Sequence, residues 1–248
     1  MPHRHFALRA MRLFTSNHRA PEADRWLGLI LATIAGSLNA GAFLMMSQYA
    51  SHMTGHLSQM AGSLVTQDLS LVILSFGILV LFVAGAALAS MMIAWGHDRH
   101  AKLTYFLPLA LQGALLAVLA STEFLPNALT GYTGLALLAF VMGLQNATIT
   151  RISSARIRTT HATGLLTDMG IELGRAAYGL GHPNHQDGQD NSRLFLFMQL
   201  VSAFIIGGVL GCLGHGAFGW GFAILPAVIL MSIALATAPR KARAAAAA

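Results

Sequence analysis

Residues 69–95 read LSLVILSFGILVLFVAGAALASMMIAW, with no Asp, Glu, Lys or Arg. A membrane-spanning helix needs about 20 consecutive, mostly apolar residues, and this stretch supplies them with some to spare. Comparable stretches run from Trp26 to about Met46, Leu103 to about Ala120 (with Pro108 inside), Asn127 to about Ala147, Leu194 to about Leu213 and Phe218 to Ala238. Two further runs, about His56 to Val65 and Leu165 to Tyr178, are too short or too polar to span alone. The break at Thr66-Gln67-Asp68 separates the first of these from the run that follows it.

Composition agrees. Apolar residues make up 55% of the 248, charged residues 10%, and mean hydropathy is +0.62. A soluble domain carries roughly 25% charged residues, so this chain cannot cover a water-facing surface. The expected fold class is an all-α polytopic membrane protein with about six transmembrane helices and two short half-helices. The net charge of +6 does not point to nucleic acid. Lys and Arg flank the apolar runs, and no basic stripe interleaved with aromatics is present. The single cysteine, Cys212, lies in an apolar run and reads as a small buried or lipid-facing residue.

The basic residues alternate. Arg4, Arg9, Arg12, Arg19 and Arg25 precede the first span. Arg99 and Lys102 follow the second. Arg151, Arg156, Arg158, Arg175 and Arg193 follow the fourth, and Arg240, Lys241 and Arg243 end the chain. The intervening loops, Ser47 to Gln67, Ser121 to Pro126 and Gly214 to Gly219, have no Lys or Arg. Six spans put every basic segment on one side, and the positive-inside rule makes that side cytoplasmic, with both termini inside. The run before Trp26 reads as a cytosolic tail, because its apolar stretches are too short for a secretory signal.

A motif occurs twice. Gly36-Ser37-Leu38-Asn39-Ala40 near the end of the first span matches Gly143-Leu144-Gln145-Asn146-Ala147 near the end of the fourth. Downstream, His52-Met53-Thr54-Gly55 with Met60 matches His161-Ala162-Thr163-Gly164 with Met169. Linked motifs in the same order, after equivalent spans, imply duplication. The expected organisation is a cytosolic tail (1–25), a first membrane repeat (26–121), a second (122–238) and a cytosolic tail (239–248). Three spans per half is odd, so the second repeat enters the membrane from the other side. Such an inverted repeat is common in secondary transporters, which place a substrate site near the midplane at broken helices.

The Thr-Gly steps suit such breaks. Thr is a good N-cap, so Thr54 and Thr163 are expected to cap helices starting near Gly55 and Gly164. A helix N-terminus offers free N–H groups and a partial positive charge, which favour an anion. Gly at that point admits close approach of a ligand or backbone. Asn39 and Asn146 are buried amides that either contact a ligand or bond between helices. His52 and His161 either carry protons or tie down their loops. The expected ligand-binding set is therefore Asn39, His52, Thr54, Gly55, Asn146, His161, Thr163 and Gly164, around a shared central cavity.

The phrases Gly143-Leu144-Gln145-Asn146-Ala147 and Thr159-Thr160-His161-Ala162-Thr163-Gly164 resemble the signatures of the YoaK-like bacterial membrane protein family, domain of unknown function 1275. The likeness covers roughly Gly28 to Ala238. It implies the architecture and a bacterial inner-membrane location, and says little about substrate. Asn39 stands where family members often carry an acid, and His56 where Asn is common. A proton- or ion-carrying role for that acid is therefore not carried over to Asn39.

Other polar groups have simpler readings. Asp168 and Glu172 share a helix face and are expected to pair with Arg175 or the Arg151–Arg158 cluster. His97, Asp98 and His100, like His182 and His185, match no metal-ligand spacing, and Gly179 to Asn191 reads as a polar loop. Gly207 and Gly211 have GxxxG spacing and are expected to pack inside the protein, which leaves homo-oligomerisation open. No nucleophile elbow, P-loop or metalloprotease signature is present. The expectation is therefore no enzyme and no cofactor, with membrane lipids and a small solute as partners. Function is expected to be secondary transport or permeation of a small, anionic solute. The rival reading is a non-transporting membrane protein that binds a lipid or a partner protein.

Overall fold

The structure is a computed structural model and describes residues 21–99, 103–124, 127–181 and 191–238. The N-terminal tail to residue 20, the C-terminal tail from 239, His100, Lys102 and the loop with His182 and His185 lie outside the described residues.

The described chain is all-α. Its helices are α1 (Pro21–Met46), α2 (Met53–Val65), α3 (Leu69–Arg99), α4 (Leu103–Ser121), α5 (Asn127–Ile152), α6 (Ala162–Gly181), α7 (Asn191–Phe218) and α8 (Ile224–Thr237). Short 3-10 turns occupy Thr122–Phe124 and Gly219–Ala223. Five stretches are long and apolar enough to cross a membrane, and the last, Asn191–Thr237, is 47 residues long. It comprises two helices joined by a turn, the second packing on α4. The turn between them sets the Phe222 ring against Gly214 of α7. The protein is thus an all-α polytopic membrane protein with six apolar helices, of which α8 is the shortest, plus the short α2 and α6.

Helix ends run past the apolar stretches. α3 has 31 residues, about 46 Å at 1.5 Å per residue, against a hydrocarbon core of about 30 Å. At its end the Arg99 guanidinium lies 5.8 Å from the Trp95 ring centre. α5 continues to Ile152 rather than stopping near Ala147, and α1 begins at Pro21 rather than Trp26.

The two halves have the same element order, and they interleave. α1 of the first half packs chiefly on α7 of the second, and α3 on α5. α4 packs on α8, α2 on α3 and α6 on α7. Exchanging the halves maps these five pairs onto themselves, whereas α4 also packs on α3 and α5 with no contact of comparable extent between α8 and α7 or α1. The contacts repeat residue by residue. A side chain on Gly36 would collide with the Phe204 carbonyl, and one on Gly207 with that of Thr33. At the same offsets, one on Gly143 would collide with the Phe82 carbonyl, and one on Gly85 with that of Phe140. Apolar side chains gain little from leaving lipid for a helix interface, so association depends on close packing, and Gly lets backbones touch. Gly211 likewise meets the Ser37 carbonyl, so Gly207 and Gly211 pack within the protein as expected.

Contacts also fix directions. Arg156, just past α5, bonds Asp24 at the start of α1 at 3.2 Å. The Met46 side chain at the end of α1 abuts Gly131 at the start of α5. α1 and α5 are therefore antiparallel. α1 and α7 are parallel: Arg25 Nε donates to Gln199 Oε1 at 2.7 Å, and Gly41 meets the His215 ring. At the far end, Trp220 N donates to Glu123 Oε2 at 2.6 Å, joining the turns after α4 and α7. Arg25, Arg151, Arg156 and Arg158 thus gather at one end of the bundle, the basic end, and Ser47, Glu123 and Trp220 at the other.

Candidate functional site

Each half forms the same elbow. α1 ends at Ser47 with φ 52°, and α5 ends near Ser154 with φ 51°. These left-handed residues turn the chain back along its helix. The Ser51 hydroxyl and backbone N–H then donate to Asn39 Oδ1 at 2.9 and 3.0 Å. In the second half the Thr160 hydroxyl donates to Asn146 Oδ1 at 2.8 Å. Asn39 lies about 10 Å inside the end of α1 and Asn146 about 9 Å inside the end of α5, by the rise per residue. α2 and α6 therefore start inside the bundle ends and run outward. α2 is held to α3, where the Ser75 hydroxyl donates to Gln59 Oε1 at 3.4 Å.

The expected Thr caps are not observed. α2 starts at Met53 and α6 at Ala162, one residue before each Thr. The first i→i−4 bonds run from His56 N to the His52 carbonyl and from Leu165 N to the His161 carbonyl, both 3.1 Å. His52 holds the N-cap position with φ −92° and ψ 68°, and no side chain caps the helix there. The hydroxyl that acts is one place earlier, at Ser51 or Thr160, and it goes to Asn. Thr54 and Thr163 are exposed.

The glycines have a local reason. An added side chain on Gly55 would strike the His52 ring, and one on Gly164 the His161 ring. Each His thus folds over the first turn of its own helix. His56 is 3% exposed. Its Nε2 bonds the Tyr49 carbonyl at 2.7 Å, and its Nδ1 is buried without a partner. A cavity of about 190 Å³ adjoins it, lined by Gln48, Tyr49, His52, Gly55, His56 and Gln59. In the second half the Arg158 guanidinium lies 3.5 Å from His161 Nδ1. Glu172 pairs with Arg175 at 3.2 Å, as expected. Among the described residues no group of three or more His, Cys, Asp or Glu could hold a metal.

The structure brings together Asn39 with the His52 elbow and Asn146 with the His161 elbow, each within its own half. The cavity beside Gly55 is lined by first-half residues alone. The two Asn also differ in depth. Gln145 Nε2 donates to the Leu31 carbonyl at 2.9 Å, which sets Asn146 level with Leu31, roughly 12 Å along α1 from Asn39.

Three features were passed over in the sequence. Buried Gln145 and Gln112 reach Thr159 and Thr148, each at 3.4 Å, giving α5 polar groups that α1 lacks. The hydroxyl before each His was readable as a shared Ser/Thr-His-x-Thr-Gly. Phe82-Val83-Ala84-Gly85-Ala86 and Phe204-Ile205-Ile206-Gly207-Gly208 are a second repeated motif, and it marks the interleaved helices.

No curated protein and no solved structure matches the chain. A family model described as protein of unknown function (DUF1275) matches residues 27–236. With both elbows and the repeated motifs inside that span, and nearly all of the helical residues with them, the chain belongs to the DUF1275 family.

Proposed function

We propose that the protein is a small secondary transporter or permease of the bacterial inner membrane, built as an inverted repeat, that passes a small anionic solute. The observation that carries this is the pair of elbows. Each half starts a short helix beside an Asn about 10 Å inside a helix end, and the two Asn stand roughly 12 Å apart along α1. Non-helical backbone at membrane depth is tolerated where it is covered by protein or lines a watery cavity. The free N–H groups and partial positive charge of the two helix starts favour an anion. The antiparallel run of α1 and α5, with the pairing that survives exchange of the halves, supports a two-fold axis in the membrane plane. The positive-inside rule places the basic end, and with it both termini, in the cytoplasm.

The test is uptake of radiolabelled acetate, lactate, phosphate and sulfate into proteoliposomes, beside Gly164→Leu protein. Uptake above protein-free vesicles that the variant loses supports the proposal. Uptake of all four no faster than in protein-free vesicles refutes it. The second reading, binding of a lipid or partner protein, draws on the outward faces of α2 and α6, where Thr54, Leu57, Thr163 and Leu166 are exposed.

A further inference from the structure

The end of α3, the start of α4 and the end of α5 line an open cavity of about 600 Å³ at the basic end, against the Ser154 turn of the second elbow and away from both Asn. His97, Asp98, Thr104, Thr150, Arg151 and Ser154 line it. Asp98 and Arg151 share this lining, yet their side chains form no ion pair with each other, and neither side chain has a hydrogen-bond partner among the described residues. Arg99 is turned away over Trp95. Thr104 is 6% exposed, and its hydroxyl is buried without a partner. A buried hydroxyl left unbonded costs free energy, and a polar ligand or water in the cavity would relieve it.

The duplication sharpens the point. The offsets that relate α3 to α7 and α1 to α5 map His97, Asp98 and Arg151 onto Gly219, Trp220 and Leu44. At that other end Trp220 is 1% exposed and its backbone is tied to Glu123. The scaffold is shared by the two halves, but the charged cavity belongs to one end only. Packing alone therefore does not require these charges.

We infer that this cavity binds a small zwitterion of the α-amino-acid class. The carboxylate meets Arg151 and the hydroxyls of Thr150 and Ser154, and the ammonium meets Asp98. A simple anion gains from Arg151 and is repelled by Asp98, and a simple cation meets the reverse, so only a ligand carrying both charges satisfies both side chains. The site stands whether or not the elbows pass a solute.

The experiment is calorimetric titration of the full-length protein in detergent with L-alanine, L-leucine and L-glutamine, and with propionate and ethylamine as single-charge counterparts. The expected result is saturable binding of at least one amino acid, at least tenfold tighter than propionate or ethylamine. Arg151→Gln and Asp98→Asn each weaken it tenfold or more, and Arg99→Gln leaves it unchanged. Asp98 and Arg151 are exposed, and unaltered thermal unfolding of the variants shows that they fold. No saturable binding of any of the three amino acids, single-charge compounds that bind as tightly, or folded variants that bind like the parent would overturn the inference. Amino-acid binding together with no uptake of the four anions would sink the transport reading alone.

Discussion

Gly143→Ala tests whether glycine contacts hold the interleaved helices together. A methyl at Gly143 falls on the carbonyl oxygen of Phe82, which is backbone and cannot rotate aside. α3 cannot slide away cheaply either, because Gly85 on the same face is pressed against the Phe140 carbonyl and Leu144 N. The two helices must separate, and overpacking of this kind costs about 1–3 kcal/mol. Ala also favours a helix over Gly by about 1 kcal/mol, which offsets part of that cost. Gly62→Ala supplies the reference. Nothing lies within 4 Å of a side chain there, so the propensity gain acts alone. Equilibrium unfolding by SDS titration in mixed micelles should therefore separate the two variants by about 1–3 kcal/mol, with Gly143→Ala the less stable. Gly36→Ala should behave like Gly143→Ala, because its methyl meets the Phe204 carbonyl in the same way. Equal stabilities for Gly143→Ala and Gly62→Ala would refute the packing argument.

Thr160→Val removes the bond to Asn146 Oδ1 and should cost about 1 kcal/mol in the same titration, whereas Thr163→Ala, which removes no cap, should change stability by less than about 0.5 kcal/mol. Asp68 precedes α3, and the Ser70 hydroxyl and Leu71 N–H hold its carboxyl below its ordinary value of 3.8. A folded-state pKa below the unfolded one stabilises above the unfolded value, and the effect fades as pH falls through the folded one. The parent should therefore lose stability below about pH 4 more steeply than Asp68→Asn, as read by thermal unfolding across that range. Gly164→Ala should displace the His161 ring from the first turn of α6, visible as a shift of that imidazole in an NMR spectrum of ring-labelled protein; an unmoved resonance contradicts the close approach.

The sequence carried the spans and the duplication, because both are written in residue identity. Uncharged runs give the apolar helices, and two linked motifs give the paired elbows. Helix ends were less legible, since hydropathy reports where lipid lies and not where the helix stops. Thr148 continues α5 past the apolar run with its hydroxyl on the Leu144 carbonyl at 2.7 Å. The caps were misplaced because backbone conformation at His52 decides the N-cap, and the neighbouring Ser51 hydroxyl goes to Asn39 instead of to a helix N–H. Which half packs on which was not read, although the Phe-x-x-Gly repeat around Gly85 and Gly207 held the signal. At the elbows, Asn39 and Asn146 were foreseen as ligand contacts or as bonding partners, and the bonds are what the structure contains.

The central claim is that the second half runs through the membrane opposite to the first. Ser47 and Ser154 are equivalent positions, both exposed and both left-handed, and each accepts Cys with little change in shape. Single-cysteine proteins with Cys212→Ser can be labelled in intact cells with a membrane-impermeant maleimide. The account predicts that Ser47→Cys labels from outside and Ser154→Cys labels only after the cells are opened. Labelling of both from the same side would contradict it.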